Sequence, residues 1–338
     1  MTSSIYIVAE IGPNHNGSIA NAFDLISKLS QSGADAVKFQ LANPHSVYSA
    51  DAFKADYQKI NDGSGSVIEM SKRLQFSQEI HKELKNHCDR CGITYLCTAF
   101  DLESLIFLDK ELNQPYFKVA SGEIDTIDML EYISEQSKPV FLSTGMSTFD
   151  DIDSALKILT RNGLSDITIL HCVSSYPAQP HHLNLRVISE LISRYQYNIG
   201  YSDHSLGNQA ALLAIALGAV LIEKHVTLDK SLPGPDHKSS LDVDEFCSFV
   251  RSIRLTDQML GTNHKLFSPD ELNTRDMARK SIVLKNSLLA GETVSPDNIT
   301  FKRPGTGISP LLRDFIVGKK ALHAIPADSI FFESDLSQ

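Results

Sequence analysis

Gly200-Tyr-Ser-Asp-His204, followed by Leu221-Ile-Glu-Lys-His-Val226, is a pair of apolar runs that each carry a histidine at or near the end. Both have the composition of buried strands, and a helical pattern over 207–217 separates them. The two-residue period of a strand places Glu223 and His225 on one face and Lys224 on the other, and groups Ser202 with His204. Two histidines at successive strand ends, with carboxylates nearby, can hold a divalent metal with open positions. The other reading is a pair of capped core histidines in polar strand-end loops.

Outward from these runs the same rhythm recurs. Strands are predicted over 5–11, 36–41, 94–100, 116–121, 139–144, 167–173, 198–204 and 221–226. Helices are predicted near 19–32, 77–91, 102–112, 126–136, 149–162, 184–195, 207–217 and 243–260. Thr148-Phe-Asp-Asp151 and Asp242-Val-Asp-Glu245 read as capping boxes at two helix starts. Strands apolar on both faces and alternating with helices imply a parallel sheet, and eight such units imply a (β/α)8 TIM barrel. An open doubly wound sheet is the alternative, but Gly12-Pro-Asn-His-Asn-Gly17 after the first strand is not the glycine fingerprint of that fold. The barrel is expected over 1–262, a polar linker over 263–279 and a small β-rich domain over 280–338. The segment 42–76, rich in Ser, Asp, Gly and Tyr, reads as a long loop over the barrel mouth, a lid or a substrate-contacting insertion.

Composition narrows the class. The chain has 338 residues, is 42% hydrophobic and carries a net charge of −10, which argues against an electrostatic nucleic-acid binder. No apolar run reaches transmembrane length, and Met1-Thr-Ser-Ser-Ile-Tyr has no signal-peptide pattern. The odd count of five cysteines favours reduced thiols and a cytoplasmic setting. Cys88-Asp-Arg-Cys91 lacks the second pair that a zinc site needs.

In a barrel the active site lies at the carboxyl ends of the strands. There the chain offers Glu10, Lys38, Gln40, Thr98, Lys118, Ser121, Glu123, Ser143, Ser174, Tyr176, Ser202, His204, Glu223 and His225, with Asp236 in the loop beyond. Lys38 and Lys118 lie inside apolar strands, where an unpaired ammonium costs several kcal/mol, so each is expected to have an anionic partner. That partner is either Glu10, Glu123 or Glu223, or the phosphate or carboxylate of a ligand. A Schiff base at one lysine is a further possibility, less attractive beside a metal that polarises a carbonyl.

Taken in order, Ala9-Glu-Ile-Gly12, Asn14-His-Asn-Gly17, Lys38-Phe-Gln40, Phe117-Lys-Val-Ala-Ser-Gly-Glu123, Ser143-Thr-Gly-Met146, Gly200-Tyr-Ser-Asp-His204, Glu223-Lys-His225 and Gly234-Pro-Asp-His237 closely resemble the sialic acid (nonulosonate) synthase family. Ala278-Arg-Lys-Ser-Ile282 and Lys302-Arg-Pro-Gly305 resemble that family's antifreeze-like (SAF, β-clip) domain.

The resemblance implies condensation of phosphoenolpyruvate with an N-acetylated mannosamine-type sugar to a nine-carbon 2-keto acid, with release of phosphate. It implies a divalent metal, Mn2+ first and Mg2+ or Co2+ next, on His204 and His225. It assigns Lys38, Thr98, Lys118, Ser121, Ser143, Ser174 and Ser202 to phosphoenolpyruvate, and Glu10, Gln40, Tyr176 and Asp236 to the sugar. Glu123 and Glu223 are the carboxylates for proton transfer or water orientation, with Glu10 beside them. Arg303 would act across a domain-swapped homodimer, whereas its residues alone read as a surface turn. Ser174 departs from the asparagine common in sialic acid synthases and resembles synthases of legionaminic type. N-acetylmannosamine is the default acceptor, followed by 2,4-diacetamido-2,4,6-trideoxymannose and a 6-phosphorylated sugar. The competing readings are a synthase of a shorter keto-sugar acid and a non-enzymatic glycan-binding protein.

Overall fold

The computed structural model describes residues 5–337. Residues 1–4, on which the reading of the amino terminus partly rests, and residue 338 lie outside the described residues.

Among the described residues, eight parallel strands run in the order β3-β2-β1-β8-β7-β6-β5-β4. They are β1 (Tyr6–Glu10), β2 (Ala36–Leu41), β3 (Thr94–Ala99), β4 (Phe117–Val119), β5 (Val140–Ser143), β6 (Ile167–Cys172), β7 (Asn198–Asp203) and β8 (Leu221–Thr227). A two-residue strand, Leu241–Asp242, pairs with β8 off this path. Helices follow the strands as the periodicity predicts, and the Thr148 and Asp242 capping boxes are both formed. The molecule is a (β/α)8 barrel, with β3 beside β4 at its seam.

The seam is closed by a side chain. Buried Gln114 accepts from Cys97 N at 2.7 Å and donates to Cys97 O at 3.0 Å and Tyr116 O at 2.6 Å. Its amide thus satisfies backbone groups where β3 and the approach to β4 have no registered ladder. The strand exteriors pack on the helices in one continuous core. At the amino-terminal end of the strands Tyr6, Tyr116 and Phe141 fill the interior, the last two stacked at 4.7 Å.

Register sets the depth of the site. Glu10 lies opposite Lys38 of β2 and His225 of β8, Gln40 opposite Thr98 of β3, and Ser202 opposite Glu223. Ser202 and Glu223 thus sit two residues before the Glu10–Lys38–His225 row, and Gln40 and Thr98 two residues after it, all near the carboxyl ends of the strands.

The segment 42–76 is a folded element, not an open loop. It carries short helices at Pro44–Val47, Asp56–Asp62 and Val67–Leu74. Val67, Met70 and Leu74 form a core of its own with Tyr48, Ala52 and Ile68. A buried ion pair, Lys54–Asp62 at 2.7 Å, holds it together.

The chain divides into two compact units between Gly261 and Thr262. In the second, 263–279 is not wholly a linker: Leu272–Ala278 is helical, started by Pro269 in the preceding turn. Ser281–Leu284 pairs antiparallel with Ile299–Lys302, and Ile282, Leu284, Ile299, Ile316 and Phe331 fill a small separate core.

Candidate active site

A cavity of about 400 Å3 opens at the carboxyl ends of the strands. Its floor is charged. Lys38 Nζ lies 2.5 Å from Glu10 Oε2, 3.7 Å from Glu223 Oε1 and 3.1 Å from Thr98 Oγ1. Gln40 donates to the other Glu10 oxygen at 2.8 Å, and Ser202 donates to Glu223 Oε1 at 3.1 Å. Burial works against the Lys38 charge, but Glu10 and Glu223 outweigh it and hold the ammonium above the usual lysine range.

Lys118 is placed differently. It donates to Ser143 Oγ at 2.7 Å and Val119 O at 3.1 Å. No carboxylate among the described residues lies within ion-pairing distance of it. Burial accordingly lowers it below the usual range, with the more distant Glu223 opposing. Of the two kinds of anionic partner expected, a protein carboxylate is present for Lys38 alone, which leaves a ligand's phosphate or carboxylate for Lys118. β4 and β5 present no acid at this level, so Lys118 faces the cavity with hydroxyls around it.

The carboxyls diverge as well. Burial pushes Glu10 up to about 7, with Lys38 opposing and Glu223 adding to the rise. Burial also works on Glu223, but Lys38, Lys118 and His204 prevail and keep it below the ordinary range. Two acids flanking one lysine are thereby shifted in opposite directions. The Oε2 atom of Glu223 is buried and has no hydrogen-bond partner.

The imidazoles of His204 and His225 meet edge to face, with centroids 5.3 Å apart and planes at 62°. His204 Nδ1 lies 2.9 Å from Val173 O. A carbonyl only accepts, so Nδ1 carries a proton. Burial opposes a second proton, but Cys172, the Val173 carbonyl and Glu223 prevail and raise His204 to about 9, so a metal would have to displace the proton on Nε2. His225 Nδ1 and Asp236 Oδ1 are buried without hydrogen-bond partners, and Asp236 Oδ2 is 3.6 Å from His225 Nδ1. Burial raises Asp236 to about 6 and holds His225 well below the usual imidazole range, which keeps it neutral. Nitrogen and oxygen donors of this kind fit a borderline or hard divalent ion. Among the described residues no three His, Cys, Asp or Glu side chains converge on one point. The protein would therefore supply two imidazoles and leave positions open.

Glu10, Lys38, Gln40, Thr98, Lys118 and Ser121 line the cavity, and so do Ser143, Ser174, Tyr176, Ser202, His204, Glu223, His225 and Asp236. Ser121 Oγ accepts from Gly145 N at 2.9 Å. A Cβ on Gly145 would lie 2.2 Å from Ser174 Oγ, so glycine is what lets that hydroxyl approach. Glu123 is not among the cavity-lining residues: its Oε2 accepts from Thr126 Oγ1 at 2.6 Å. Arg303 belongs to the second unit, where it is exposed and its Nε donates to Ala278 O at 2.8 Å. His171, at the end of β6, points outward to Leu183 O and Tyr201, and the alternation brings Cys172 inward instead. The cavity-lining residues missing from the sequence reading are chiefly Tyr48, Tyr57 and Gln58 of the 42–76 segment. Their only signal was two tyrosines in an insertion rich in Ser, Asp and Gly.

Fold and site together define a (β/α)8 barrel with an anion-ready floor and a pair of histidines at its mouth. Residues 25–265 match the NeuB family and residues 279–337 the SAF domain. The N,N'-diacetyllegionaminic acid synthase of Campylobacter jejuni is 40% identical over 330 residues, covering 97% of this chain and 98% of that protein. The N-acetylneuraminate-9-phosphate synthase of Mus musculus is 34% identical over 333 residues, covering 98% and 92%. The crystal structure of an N-acetylneuraminic acid (sialic acid) synthetase from Leptospira borgpetersenii in complex with citrate matches at 32% identity with a TM-score of 0.73, covering 80% of this chain and 90% of that one. The chain belongs to the NeuB family and ends in a SAF domain.

Proposed function

We propose that this protein condenses phosphoenolpyruvate with an N-acylated aminosugar aldehyde, forming a nine-carbon 2-keto sugar acid and phosphate. The observation that carries this reading is Lys118, buried against Ser143 with no carboxylate partner among the described residues, in the cavity that it shares with Ser121, Thr98 and the Lys38 cluster. Such a floor suits a small polyanion carrying both carboxylate and phosphate.

Lys38, Lys118, Thr98 and the serines at 121, 143, 174 and 202 hold phosphoenolpyruvate with its carbon 3 toward the histidine pair. Tyr176, Asp236, Gln40 and Glu10 hold the open-chain sugar. A bond forms between carbon 3 and the aldehyde carbon, water adds at carbon 2, and phosphate leaves from carbon 2. Glu223, held below the ordinary range and with one free oxygen, orients that water and accepts its proton; the Glu10–Lys38 pair carries the proton that goes to the developing sugar alkoxide. A divalent metal on His204 and His225, Mn2+ by preference, supplies Lewis-acid polarisation of the aldehyde when bound. Arg303 completes the sugar site of a second copy in a domain-swapped homodimer. The setting is cytoplasmic.

The acceptor is 2,4-diacetamido-2,4,6-trideoxymannose. The Campylobacter jejuni and Legionella pneumophila relatives, both 40% identical to this chain, are named N,N'-diacetyllegionaminic acid synthases, and Ser174 points the same way. The test is phosphate release with phosphoenolpyruvate and Mn2+ against this sugar, N-acetylmannosamine and N-acetylmannosamine 6-phosphate, with a chelator control. Preference for the first supports the assignment. Preference for either of the others moves the acceptor, and no phosphate release with any of them overturns the reaction.

A further inference from the structure

The 42–76 segment, several of whose residues line the cavity, meets Tyr176 through one ring. Tyr57 stacks on Tyr176 with centroids 4.9 Å apart and planes at 27°. Tyr176 lies 4.2 Å from the ring of His204 and meets His225 edge-on at 5.7 Å. Tyr57 is thus the outermost of a run of rings that ends on both histidines. Its carrier is braced at both ends. Lys54 and Asp62 form the buried pair across its helix, and Asn61 donates to Pro235 O at 2.9 Å, next to Asp236. The tyrosine is half-buried, so its ring rests on Tyr176 and contributes little to the segment's own core.

We propose that Tyr57 is a positioning residue of this active site: it backs Tyr176, and Tyr176 fixes the orientation of the histidine pair. An aromatic ring held against one face limits the rotation of its neighbour, and such ring pairs prefer the offset geometry seen here. A group that must meet a sugar at one angle benefits from that restriction. The kinetic consequence rests on the reaction proposed above; the structural one does not.

The test uses Tyr57→Leu and Tyr57→Phe in the full chain. Histidine labelled with 13C at ε1 reports ring currents at His204 and His225 in the metal-free protein. Tyr57→Leu is expected to shift both resonances, and Tyr57→Phe to leave them in place. With wild type active, Tyr57→Leu is expected to lower kcat/KM for the aminosugar at least tenfold, with the phosphoenolpyruvate KM within about twofold, and Tyr57→Phe to restore it. Unmoved histidine resonances in Tyr57→Leu overturn the inference, as does an equal kinetic loss in Tyr57→Phe. An inactive wild type fails the proposed reaction instead, and the resonances still decide the role of Tyr57. Should leucine disturb the segment, Tyr57→Trp serves, because the chain has no other tryptophan. Its emission is expected to change when Tyr176→Ala is added, and an unchanged spectrum overturns the stack.

Discussion

Lys118 Nζ and Ser143 Oγ are 2.7 Å apart, and that hydroxyl stands where a buried lysine would ordinarily find a carboxylate. Lys38, two strands away on the same barrel floor, has two acids. One lysine is compensated by the protein; the other is left for a ligand.

Replacing Lys118 by methionine should therefore separate stability from activity. Removing an uncompensated buried charge is neutral or stabilising by about 1 kcal/mol or more. The melting temperature of Lys118→Met should hold or rise, while kcat/KM for phosphoenolpyruvate falls by about 100-fold or more. A variant that melts much lower would mean that Lys118 is held by the fold itself.

Metal removal gives the second expectation. Chelation should abolish phosphate release and Mn2+ should restore it. His204→Asn and His225→Asn should each lose at least about 100-fold in turnover, and Mn2+ binding followed by electron paramagnetic resonance should weaken in both. Full activity in either variant would remove that histidine from the site.

Arg303 is tested by mixing. In a domain-swapped dimer, co-refolded Arg303→Ala and His204→Asn chains would form one intact site per mixed pair. Activity at low sugar concentration should exceed that of either variant alone. Purely additive residual activity would place Arg303 in its own chain's function or in none.

The barrel seam predicts a stability effect without chemistry. Gln114→Leu leaves buried backbone groups of Cys97 and Tyr116 unpaired and should cost about 2–4 kcal/mol. A loss below about 1 kcal/mol in urea titration would show that water or a shifted strand replaces the amide.

Two buried histidines make stability depend on pH. Burial lowers His15 to about 3, with His81 and His237 adding, and lowers His81 to about 4. Both stay neutral in the fold, whereas in the unfolded chain they bind a proton near pH 6.5. Stability is therefore insensitive to them above that pH and falls below it, by about 1.4 kcal/mol per pH unit for each. The urea midpoint should drop between pH 6.5 and 4.5, and His81→Gln should flatten the slope. An unchanged slope would mean that His81 is charged in the fold.

Much of the architecture is legible in one dimension. Strand and helix alternation repeats locally, and a parallel strand buried on both faces must be continuously apolar, so the charged residues at 38 and 118 stand out against it. The two-residue period also anticipates the inward faces of Ser202, Glu223 and His225. Other features were decided only in three dimensions. Lys224 reads as the mere reverse of its strand, yet it is fully buried on Asp203 at 2.7 Å, because the helix layer covers that face. Which lysine receives a carboxylate depends on register between strands far apart in the chain, as do the opposite shifts of Glu10 and Glu223 around Lys38. The folding of 42–76 over the mouth, with Tyr57 on Tyr176, comes from long-range packing that no local period encodes. Sequence alone determined the barrel and the types of group at its mouth, since both follow from local patterning. Their charge balance and orientation were set by tertiary structure, because burial and distance exist only once the chain has closed.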